Sequence, residues 1–349
     1  MAYTTIDDPS AHFQTKLYTG NSTNNTAITN DGNSDLQPDL IWAKSRSNTH
    51  YHDWRDTSRG LTKRLASNDN GAESTKDQSY VSFDSDGFTL GDDTDGSGSA
   101  LNTVNTSSNN YVAWQWKANG GTTSTNNDGS VAVTLQTNST AGFSIGTFTG
   151  TGDSSGTIGH GLGAKPDWLV VKRRDGSENW NNIFANFDSK LLRLNTDGAS
   201  FTGSAINSVG ASTFTDGNGN NAVFYAFKSI QGYSKFGSYK GNGNADGRFV
   251  YTGFKPAWVM FKRFDSSNDW LIFDNKRNTS NITEKVIYAD TSQAEQDDSQ
   301  HSGSLDLLSN GFKMRETGNS GNGNGATYVY VAFAEHPFVS SKGVPVTAR

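Results

Sequence analysis

The hydrophobic residues of this chain occur in short runs, separated by polar stretches rich in Gly, Asn, Ser, Thr and Asp. Runs of about five apolar residues between turn signals are typical of buried strands in β-sandwiches. One such run occurs three times between a Pro and a basic residue, in residues 37–46 (QPDLIWAKSR), 165–173 (KPDWLVVKR) and 255–263 (KPAWVMFKR). Proline has no N–H to donate to a ladder, so it favours a strand entrance. We predict a strand, which we call the Pro-to-Lys strand, at each of these places.

Two further signals accompany each Pro-to-Lys strand. An aromatic strand that ends in a Gly turn comes before it, in residues 13–20 (FQTKLYTG), 143–150 (FSIGTFTG) and 233–241 (YSKFGSYKG). A closing aromatic strand comes after it, in residues 111–117 (YVAWQWK), 223–228 (VFYAFK) and 328–334 (YVYVAFA). Three signals in a fixed order predict an internal triplication. We therefore divide the chain into β-sandwich repeats at 1–119, 131–230 and 231–349, with residues 120–130 as a linker.

Alternation within the strands predicts how they are covered. Trp168 and Val170 share one face of their strand, while Leu169 and Val171 share the other, and both faces are apolar. Such a strand is expected in the middle of a sheet that is covered on both sides.

Turn signals and the lack of helical periodicity set the fold class. Residues 85–90 (SDGFTL) and 309–314 (SNGFKM) carry Asp-Gly and Asn-Gly hairpin signals. The apolar positions of residues 283–298 do not sustain a helical period. The predicted fold is all-β: three tandem antiparallel β-sandwiches of the jelly-roll, lectin-like type, with almost no helix.

Composition narrows the possible functions. The chain of 349 residues is only 33% hydrophobic, but 20 Phe, 12 Tyr and 8 Trp can fill thin cores. A net charge of −6 disfavours nucleic acid as the main partner, and the absence of Cys excludes disulfides and thiol catalysis. The start of the chain has no basic and apolar signal-peptide pattern, and no run approaches the ~18 apolar residues of a membrane span.

Two groups of residues are candidate metal ligands. Residues 91–98 (GDDTDGSG) have acids at spacings that suit calcium, but they lack the terminal Glu of a helix–loop–helix site, and a solvated hairpin tip is the favoured interpretation. His50 and His52 would share a strand face with Asp56 in reach. No third ligand stands at a compelling spacing, so no metal is expected.

Catalytic signatures are scarce. His160 in a Gly-rich loop (residues 158–163, IGHGLG) resembles a general base, but such a His more often packs against a neighbouring strand. The His-Glu-x-x-His pattern of zinc proteases is absent. Nothing in the sequence selects a glycosidase pair among the 35 acids. We therefore expect no catalytic residues, no cofactor and no enzymatic activity.

Basic and aromatic residues near strand ends are the remaining candidates. The basic residues at the strand exits are expected to cap strand ends or to pair with Asp175 and Asp265; they are Lys44, Arg46, Lys172, Arg173, Lys262 and Arg263. Three aromatic residues in predicted loops, Tyr51, Trp54 and Trp180, are candidates for stacking on sugars, although filling a core is the commoner role of Trp.

Several segments together resemble a family of uncharacterised proteins encoded by marine tailed bacteriophages, regarded as virion or tail-fibre-like components. The segments are 35–39 (DLQPD), 85–88 (SDGF), 111–114 (YVAW), 159–162 (GHGL) and 253–256 (GFKP). The paired strands at 85–90 and 111–116 also resemble those of concanavalin-like lectins. A shared fold does not by itself establish sugar binding. The resemblance brings no catalytic or binding residues with it.

The resemblance implies a non-enzymatic structural component of a phage virion, made in the host cytoplasm. Its expected place is a tail fibre or another tail-associated position, where it would adhere to a host-surface glycan. A homo-oligomer is expected, with other virion proteins as partners and with neither nucleic acid nor membrane insertion. Two alternatives remain open: a decoration protein that clamps the capsid head, and a polysaccharide depolymerase.

Overall fold

The computed structural model describes residues 2–94, 104–152, 155–187, 190–203, 206–216, 219–297 and 304–345. Within them the regular structure is almost entirely strand, and the helical turns Pro9–Ala11 and Ala185–Phe187 contain three residues each. The strands pair in several antiparallel sheets. The prediction of an all-β, antiparallel chain with almost no helix is confirmed.

The described strands are numbered along the chain. Up to the first closing strand they are β1 (Phe13–Thr19), β2 (Thr26–Ile28), β3 (Leu40–Ser45), β4 (Asp53–Asp56), β5 (Lys63–Arg64), β6 (Ser74–Thr75), β7 (Tyr80–Asp84), β8 (Gly87–Leu90) and β9 (Asn110–Trp116). The next nine are β10 (Ser124–Asn126), β11 (Val133–Asn138), β12 (Phe143–Thr149), β13 (Thr157–Gly159), β14 (Trp168–Arg173), β15 (Asn181–Phe184), β16 (Leu191–Arg193), β17 (Thr213–Thr215) and β18 (Asn221–Phe227). The last nine are β19 (Ser234–Lys240), β20 (Phe249–Tyr251), β21 (Phe254–Arg263), β22 (Trp270–Asp274), β23 (Lys285–Tyr288), β24 (Gln296–Asp297), β25 (Leu305–Leu308), β26 (Gly311–Met314) and β27 (Thr327–Pro337).

Three large sheets contain the Pro-to-Lys strands. The first sheet has the order β1-β9-β3-β4, the second β10-β11-β12-β18-β14-β15-β16, and the third β19-β27-β21-β22-β23-β24. Each contains the same four neighbours: the aromatic strand, the closing strand, the Pro-to-Lys strand and the strand that follows it. The predicted domain boundaries at 1–119, 131–230 and 231–349 stay a prediction.

The pairing register aligns the three sheets residue by residue. Opposite Leu40, Trp168 and Trp258 lie Trp116, Phe227 and Phe333 on the closing strands. On the other side of the same three residues lie Asp56, Phe184 and Asp274. We call residues at matching places in this register equivalent positions.

Both faces of each Pro-to-Lys strand are covered. Trp168 and Val170 point into a large cluster of buried residues that contains side chains from all three large sheets. Leu169 and Val171 point into a second cluster, formed between the second large sheet and the small sheet β13-β17. The predicted alternation is therefore confirmed, and the strand lies inside its sheet as expected.

The inner faces of the three sheets share one core. The ring centroids of Trp54 and Trp180 lie 5.0 Å apart across the first and second sheets, and those of Phe13 and Phe333 lie 5.0 Å apart across the first and third. Phe184 contacts Trp270 of the third sheet at 6.4 Å. Aromatic pairs at such distances stabilise beyond their buried area. The expectation that each sandwich is closed around its own thin core is thus wrong for the inner faces.

Small sheets cover the outer faces. The first large sheet is covered by β2-β8-β7, the second by β13-β17 and the third by β20-β26-β25, each with its own buried cluster. The predicted hairpins are present: Asp84 pairs with Gly87 across Ser85 and Asp86, and Leu308 pairs with Gly311. Residues 120–130, which we predicted to be a linker, include β10, which pairs with β11 at the edge of the second sheet.

Ring N–H groups connect the three sheets in a closed cycle. His52 Nε2 bonds to the Tyr288 carbonyl of the third sheet at 2.9 Å. Trp180 Nε1 donates to the Ala66 carbonyl at 2.8 Å, and Trp270 Nε1 donates to the Arg193 carbonyl of the second sheet at 2.9 Å. The three rings stand at equivalent positions: Trp270 lies opposite Lys262, and continuing the register by one residue places Trp180 opposite Lys172 and His52 opposite Lys44. Each sheet therefore bonds to the one before it.

A buried network of charges closes the interface between the first and second sheets. Arg59 pairs with Asp56 at 2.6 Å, and neither side chain is exposed to solvent. Arg59 also pairs with Glu73 at 3.0 Å, and Glu73 pairs with Arg174 of the second sheet at 2.9 Å. Although burial opposes ionisation of Glu73, its bond to Arg174 and the charge of Arg59 hold its pKa below the usual range. Tyr225 from the second sheet donates to Asp56 at 2.6 Å.

The interface between the third and first sheets repeats this network. Arg277 pairs with Asp274 at 2.6 Å, again without exposure, and contacts Glu295 at 3.4 Å. Glu295 pairs with Arg46 of the first sheet at 2.8 Å. The indole of Trp114 donates to Asp274 at 3.1 Å, as Tyr225 does to the equivalent Asp56.

The interface between the second and third sheets uses aromatic rings instead. Phe187 stands at the position equivalent to Arg59, and Phe264 at the position equivalent to Arg174. Their rings stack with centroids 4.0 Å apart. Ser200 replaces Glu73 there, with its N–H bonded to the Phe264 carbonyl as the Glu73 N–H is to Arg174. One pair of rings therefore takes the place of an Arg–Glu–Arg bridge.

We predict that Arg59→Leu lowers the free energy of unfolding by about 3–5 kcal/mol, because it leaves the carboxylate of Asp56 buried without its cation. The measurement is urea unfolding followed by tryptophan fluorescence. Arg173→Ala is the control, since its pair with Asp175 is partly exposed and its loss is expected to cost under about 1 kcal/mol. A loss below about 1 kcal/mol for Arg59→Leu as well would contradict the structural role of the network.

Candidate ligand groove

Two of the three aromatic residues that the sequence suggested for sugar stacking are buried. Trp54 lies on β4 and is 1% exposed, and Trp180 immediately precedes β15 and is fully buried. Both pack in the shared core, the commoner role of Trp, so the suggestion that they are exposed for sugar stacking is wrong. Tyr51 keeps partial exposure beside β4.

The suggested His50–His52–Asp56 metal site is not formed. His52 accepts a hydrogen bond from Trp42 Nε1 on Nδ1 at 2.7 Å, so its Nε2 carries the proton donated to the Tyr288 carbonyl. Burial lowers the pKa of His52 well below its usual value, so the ring is neutral. Both ring nitrogens are occupied, and Asp56 belongs to the Arg59 network. Across the described residues, no group of three or more His, Cys, Asp or Glu side chains could hold a metal ion.

The acidic loop suggested for calcium is only partly described. Asp93 is buried rather than solvated, and it accepts hydrogen bonds from the Ser79 hydroxyl at 2.7 Å and the Val104 N–H at 2.6 Å. Burial raises the pKa of Asp93 to about 6. Its oxygens tie the loop to its neighbours, while residues 95–98 lie outside the described residues.

His160, which the sequence suggested as a general base, is held by structural contacts. His160 is fully buried, with its ring nitrogens 3.2 Å from the Gly210 carbonyl and 3.3 Å from the Leu162 N–H. Residues 152–156 (GDSSG), which our sequence analysis did not single out, match the Gly-x-Ser-x-Gly pattern of a nucleophile elbow, which requires a turn from a strand into a helix. Here the pattern joins β12 to β13, and residues 153–154 lie outside the described residues.

The basic residues at the strand exits have the structural role that we predicted. The buried amines of Lys44, Lys172 and Lys262 donate to backbone carbonyls at the end of their own strands, at 2.7–2.8 Å. Burial lowers the pKa of Lys44 to about 7 and those of the other two to about 8. The expected ion pairs of Arg173 with Asp175 and of Arg263 with Asp265 are present at 2.7 and 2.8 Å.

One pair of carboxyl groups stands out by its interaction. Asp269 and Asp290 are close enough to influence each other's ionisation. Asp290 keeps slight exposure, but protein surrounds most of it, and burial together with the charge of Asp269 raises its pKa well above the usual range. The equivalent pair in the second sheet is Asn179 and Asn195, joined by a hydrogen bond of 2.8 Å. Two interacting carboxyl groups thus stand where the second sheet has two amides.

The exposed aromatic residues of the described chain lie elsewhere, on β20. Phe249 is 45% exposed and Tyr251 is 55% exposed, while Val250 between them points into the outer core. The equivalent outward residues are Ala27 and Thr29 beside β2, and Thr157 and Gly159 on β13. Small residues serve the fold at these positions, so the two aromatic rings on β20 are not required for folding.

A groove of about 290 Å³ lies beside Tyr251. Tyr3 lines its other side and donates to the Gly253 carbonyl at 2.7 Å, with its hydroxyl 3.1 Å from that of Tyr251. Burial raises the pKa of Tyr3, and its bond to Tyr251 adds to the effect, so the Tyr3 phenol stays neutral at ordinary pH. The remaining lining is mostly uncharged and polar: Ser229, Gln231, Ser234, Lys235, Thr252 and Gly253. We call this surface, together with Phe249, the aromatic groove.

The chemistry of the aromatic groove suits a neutral polar ligand. Exposed aromatic faces bind C–H surfaces, while hydroxyl and amide groups exchange hydrogen bonds with a ligand. Sequence reasoning missed the groove because Phe-Val-Tyr reads as an ordinary strand. The available signal was the presence of two bulky rings at outward positions of an edge strand, where the other outer sheets have Ala, Thr and Gly.

The fold is therefore that of an all-β protein with three large antiparallel sheets around a common aromatic core. The chain belongs to the family described as domain of unknown function DUF7483, whose model matches residues 8–337. Comparisons with curated proteins and with solved structures gave no match. Among the described residues, no helix is long and apolar enough to cross a membrane.

We predict that Asp290→Asn stabilises the protein at neutral pH. The raised pKa means that the folded chain holds a proton that the unfolded chain releases, so the contribution of Asp290 is complete at acid pH and is lost as pH rises through its folded pKa. An amide at position 290 needs no proton, as Asn195 demonstrates. We expect a gain of about 1 kcal/mol or more at pH 7, since one pKa unit is worth about 1.4 kcal/mol.

The measurement for this variant is urea unfolding at pH 4 and pH 7. The difference in the free energy of unfolding between pH 4 and pH 7 should be smaller in Asp290→Asn than in the unaltered protein. Asp297→Asn, at an exposed position on β24, is the control and should change stability by less than about 0.5 kcal/mol. Destabilisation of Asp290→Asn at pH 7 would mean that Asp290 acts there as a stabilising anion.

Proposed function

We propose that this protein is a non-enzymatic structural component of a bacteriophage particle, placed on the tail, that adheres to host-surface glycans through the aromatic groove. The observation that carries the proposal is the exposed pair Phe249 and Tyr251 beside a polar groove. Rings at these positions do not serve the core. A ligand that stacks on the two rings would explain why their apolar surface is exposed.

The rest of the molecule supports a binding role rather than a catalytic one. Tyr3, whose raised pKa keeps it a neutral donor, is the one strongly perturbed group that we place in the groove. Other perturbed groups lie in interfaces between sheets or in loop anchors, each with a structural partner, and they include Lys44, His52, Arg59, Glu73, Asp93 and Asp290. Active sites generally concentrate such groups in a cleft. The aromatic groove instead combines neutral hydroxyls and amides with a single Lys.

The resemblance to phage tail components supplies the biological setting of the proposal. A groove of this size binds one short stretch of glycan, and single sites of this kind bind weakly. Many copies on one particle would convert weak contacts into firm attachment. We therefore expect the protein to assemble as a homo-oligomer and to contact other virion proteins.

We predict that Tyr251→Ala weakens glycan binding by about tenfold or more, the loss typical of an aromatic residue at the centre of a binding site. Phe249→Ala should weaken it in the same direction. The measurement is binding of the purified protein to an array of bacterial surface polysaccharides. Val81→Ala is the matched control, because Val81 is an exposed apolar residue on the outer sheet of the first unit and should leave binding unchanged.

Two results would contradict the proposal. Binding that is equal in Tyr251→Ala, Phe249→Ala and the unaltered protein would exclude the aromatic groove. Absence of the chain from purified phage particles, measured by mass spectrometry, would exclude a place in the virion.

A further inference from the structure

A second cleft, distinct from the aromatic groove, lies at the corner where the third sheet meets the first. It has a volume of about 190 Å³. Its floor is apolar, formed by Phe13, Ala257 and Ala334, and its walls include Thr15, Asn275 and Lys276. We call it the corner cleft.

The same corner occurs at the other two interfaces, and there the protein fills it. Thr57 and Ser58 are equivalent to Asn275 and Lys276. Between the first and second sheets, the Gln136 amide donates to the Thr57 hydroxyl at 2.8 Å and to the Ser58 hydroxyl at 2.7 Å. Its carbonyl oxygen accepts from the Gly121 N–H at 3.0 Å. A polar side chain of the protein itself therefore closes this corner.

The corner between the second and third sheets is also closed. It is lined by Phe184, Ala185, Asn186 and Phe236 and has no room for a water molecule. Phe236 is equivalent to Thr15, so a bulky ring stands where the corner cleft has a small hydroxyl. Only the corner between the third and first sheets stays open among these three equivalent places.

Gln136 reaches its corner because β11 lies beside β12, with Gln136 opposite Ile145. Ile145 is equivalent to Thr15. In the described part of the first sheet, β1 is the edge strand, so no side chain arrives from a neighbouring strand. The corner cleft is thus the position that Gln136 fills elsewhere, left without an occupant from the chain.

A buried polar group points to a ligand in the corner cleft. Thr15 is 4% exposed and lines the cleft, and its hydroxyl has no hydrogen-bond partner in the protein. Burying an unpaired hydroxyl is unfavourable unless something bonds to it. The positions equivalent to Thr15 carry the apolar side chains of Ile145 and Phe236, so the unpaired hydroxyl is specific to this corner, and a polar ligand is expected to bond to it.

The carboxylates around the corner cleft are already in ion pairs with lysines. Asp31 contacts Lys276 at 2.9 Å and Lys16 at 3.4 Å. Glu335 pairs with Lys255 at 3.1 Å. A charged ligand would have to displace one of these partners, whereas a neutral one would not. The cleft is also smaller than the pockets of about 300 Å³ or more that hold drug-sized molecules.

We propose that the corner cleft binds a single neutral sugar residue, with a C–H face on the apolar floor and a hydroxyl or acetamido group bonded to Thr15. This inference rests on the proposed function, because it assigns one residue of the host glycan to the cleft. It explains why one of three equivalent corners is open, and why the buried hydroxyl there lacks a partner from the chain.

The test is an NMR titration of the ¹⁵N-labelled full-length protein with glucose, galactose and N-acetylglucosamine, each used separately. At least one sugar should shift the backbone amides of Gly32, Asn33 and Ala334 in a saturable way. Thr15→Val keeps the side-chain shape but removes the hydroxyl, and it should weaken that binding by about three- to tenfold, the worth of one hydrogen bond. It should also raise the thermal midpoint of the free protein.

Thr137→Val is the matched control. The Thr137 hydroxyl is likewise buried without a partner, but it lies outside the corner cleft. This variant should also raise the thermal midpoint, while the sugar titration stays unchanged. Failure of all three sugars to shift the cleft amides would overturn the inference, as would equal affinity in Thr15→Val and the unaltered protein.

The same titration of Tyr251→Ala separates this inference from the proposed function. Retained sugar binding at the cleft together with lost binding to the polysaccharide array would support both. Loss of the cleft signal in the unaltered protein, with array binding that still depends on Tyr251, would overturn the corner cleft alone. A saturable cleft signal with no dependence of array binding on Tyr251 would support the corner cleft and overturn the aromatic groove.

Discussion

The structure depends on the fact that its central strands are apolar on both faces. A sheet built around such a strand exposes two hydrophobic surfaces, and one partner layer can cover only one of them. Here the small outer sheets cover the outer faces, and the three large sheets cover the inner faces of one another. Trp42, Trp168 and Trp258 all contribute to the resulting core. The three sheets therefore need each other in order to bury their inner surfaces.

Shared burial leaves the relative placement of the sheets to be fixed by directional contacts. The cycle of ring N–H bonds from His52, Trp180 and Trp270 supplies one such set. The buried networks around Arg59 and Arg277 supply another, since a buried cation requires its carboxylate at one particular place. The stacked rings of Phe187 and Phe264 close the interface between the second and third sheets without any charge. A closed arrangement of equivalent sheets thus tolerates different chemistry at each contact.

The strand pattern was largely predictable because it depends on local sequence. Alternation around Trp168 predicted two covered faces, and the Asn-Gly signal at residues 310–311 predicted a hairpin. The burial of Trp54 and Trp180 could not be predicted from their local sequence, since it depends on a neighbouring sheet that is distant in sequence. The Arg59–Asp56 pair could not be predicted for the same reason. The sequence around this pair resembles an ordinary polar turn, and only the pairing register identifies Arg277 and Phe187 as the residues equivalent to Arg59.

The candidate sites emerged from differences between equivalent positions rather than from recognisable motifs. Phe249 and Tyr251 stand where the other outer sheets have small residues, and Thr15 lines a corner that a ring or an amide fills elsewhere. Each difference is unremarkable in the sequence alone. The difference becomes informative once the pairing register shows which residues are equivalent.

The shared core is the central claim, and differential scanning calorimetry of the full-length chain tests it most directly. If the inner faces form one core, thermal unfolding should be a single cooperative transition, with a calorimetric enthalpy about equal to the van't Hoff enthalpy. Three resolved transitions, or a calorimetric enthalpy of about three times the van't Hoff value, would mean that the sheets unfold as independent sandwiches. Either result would contradict a core that all three sheets hold in common.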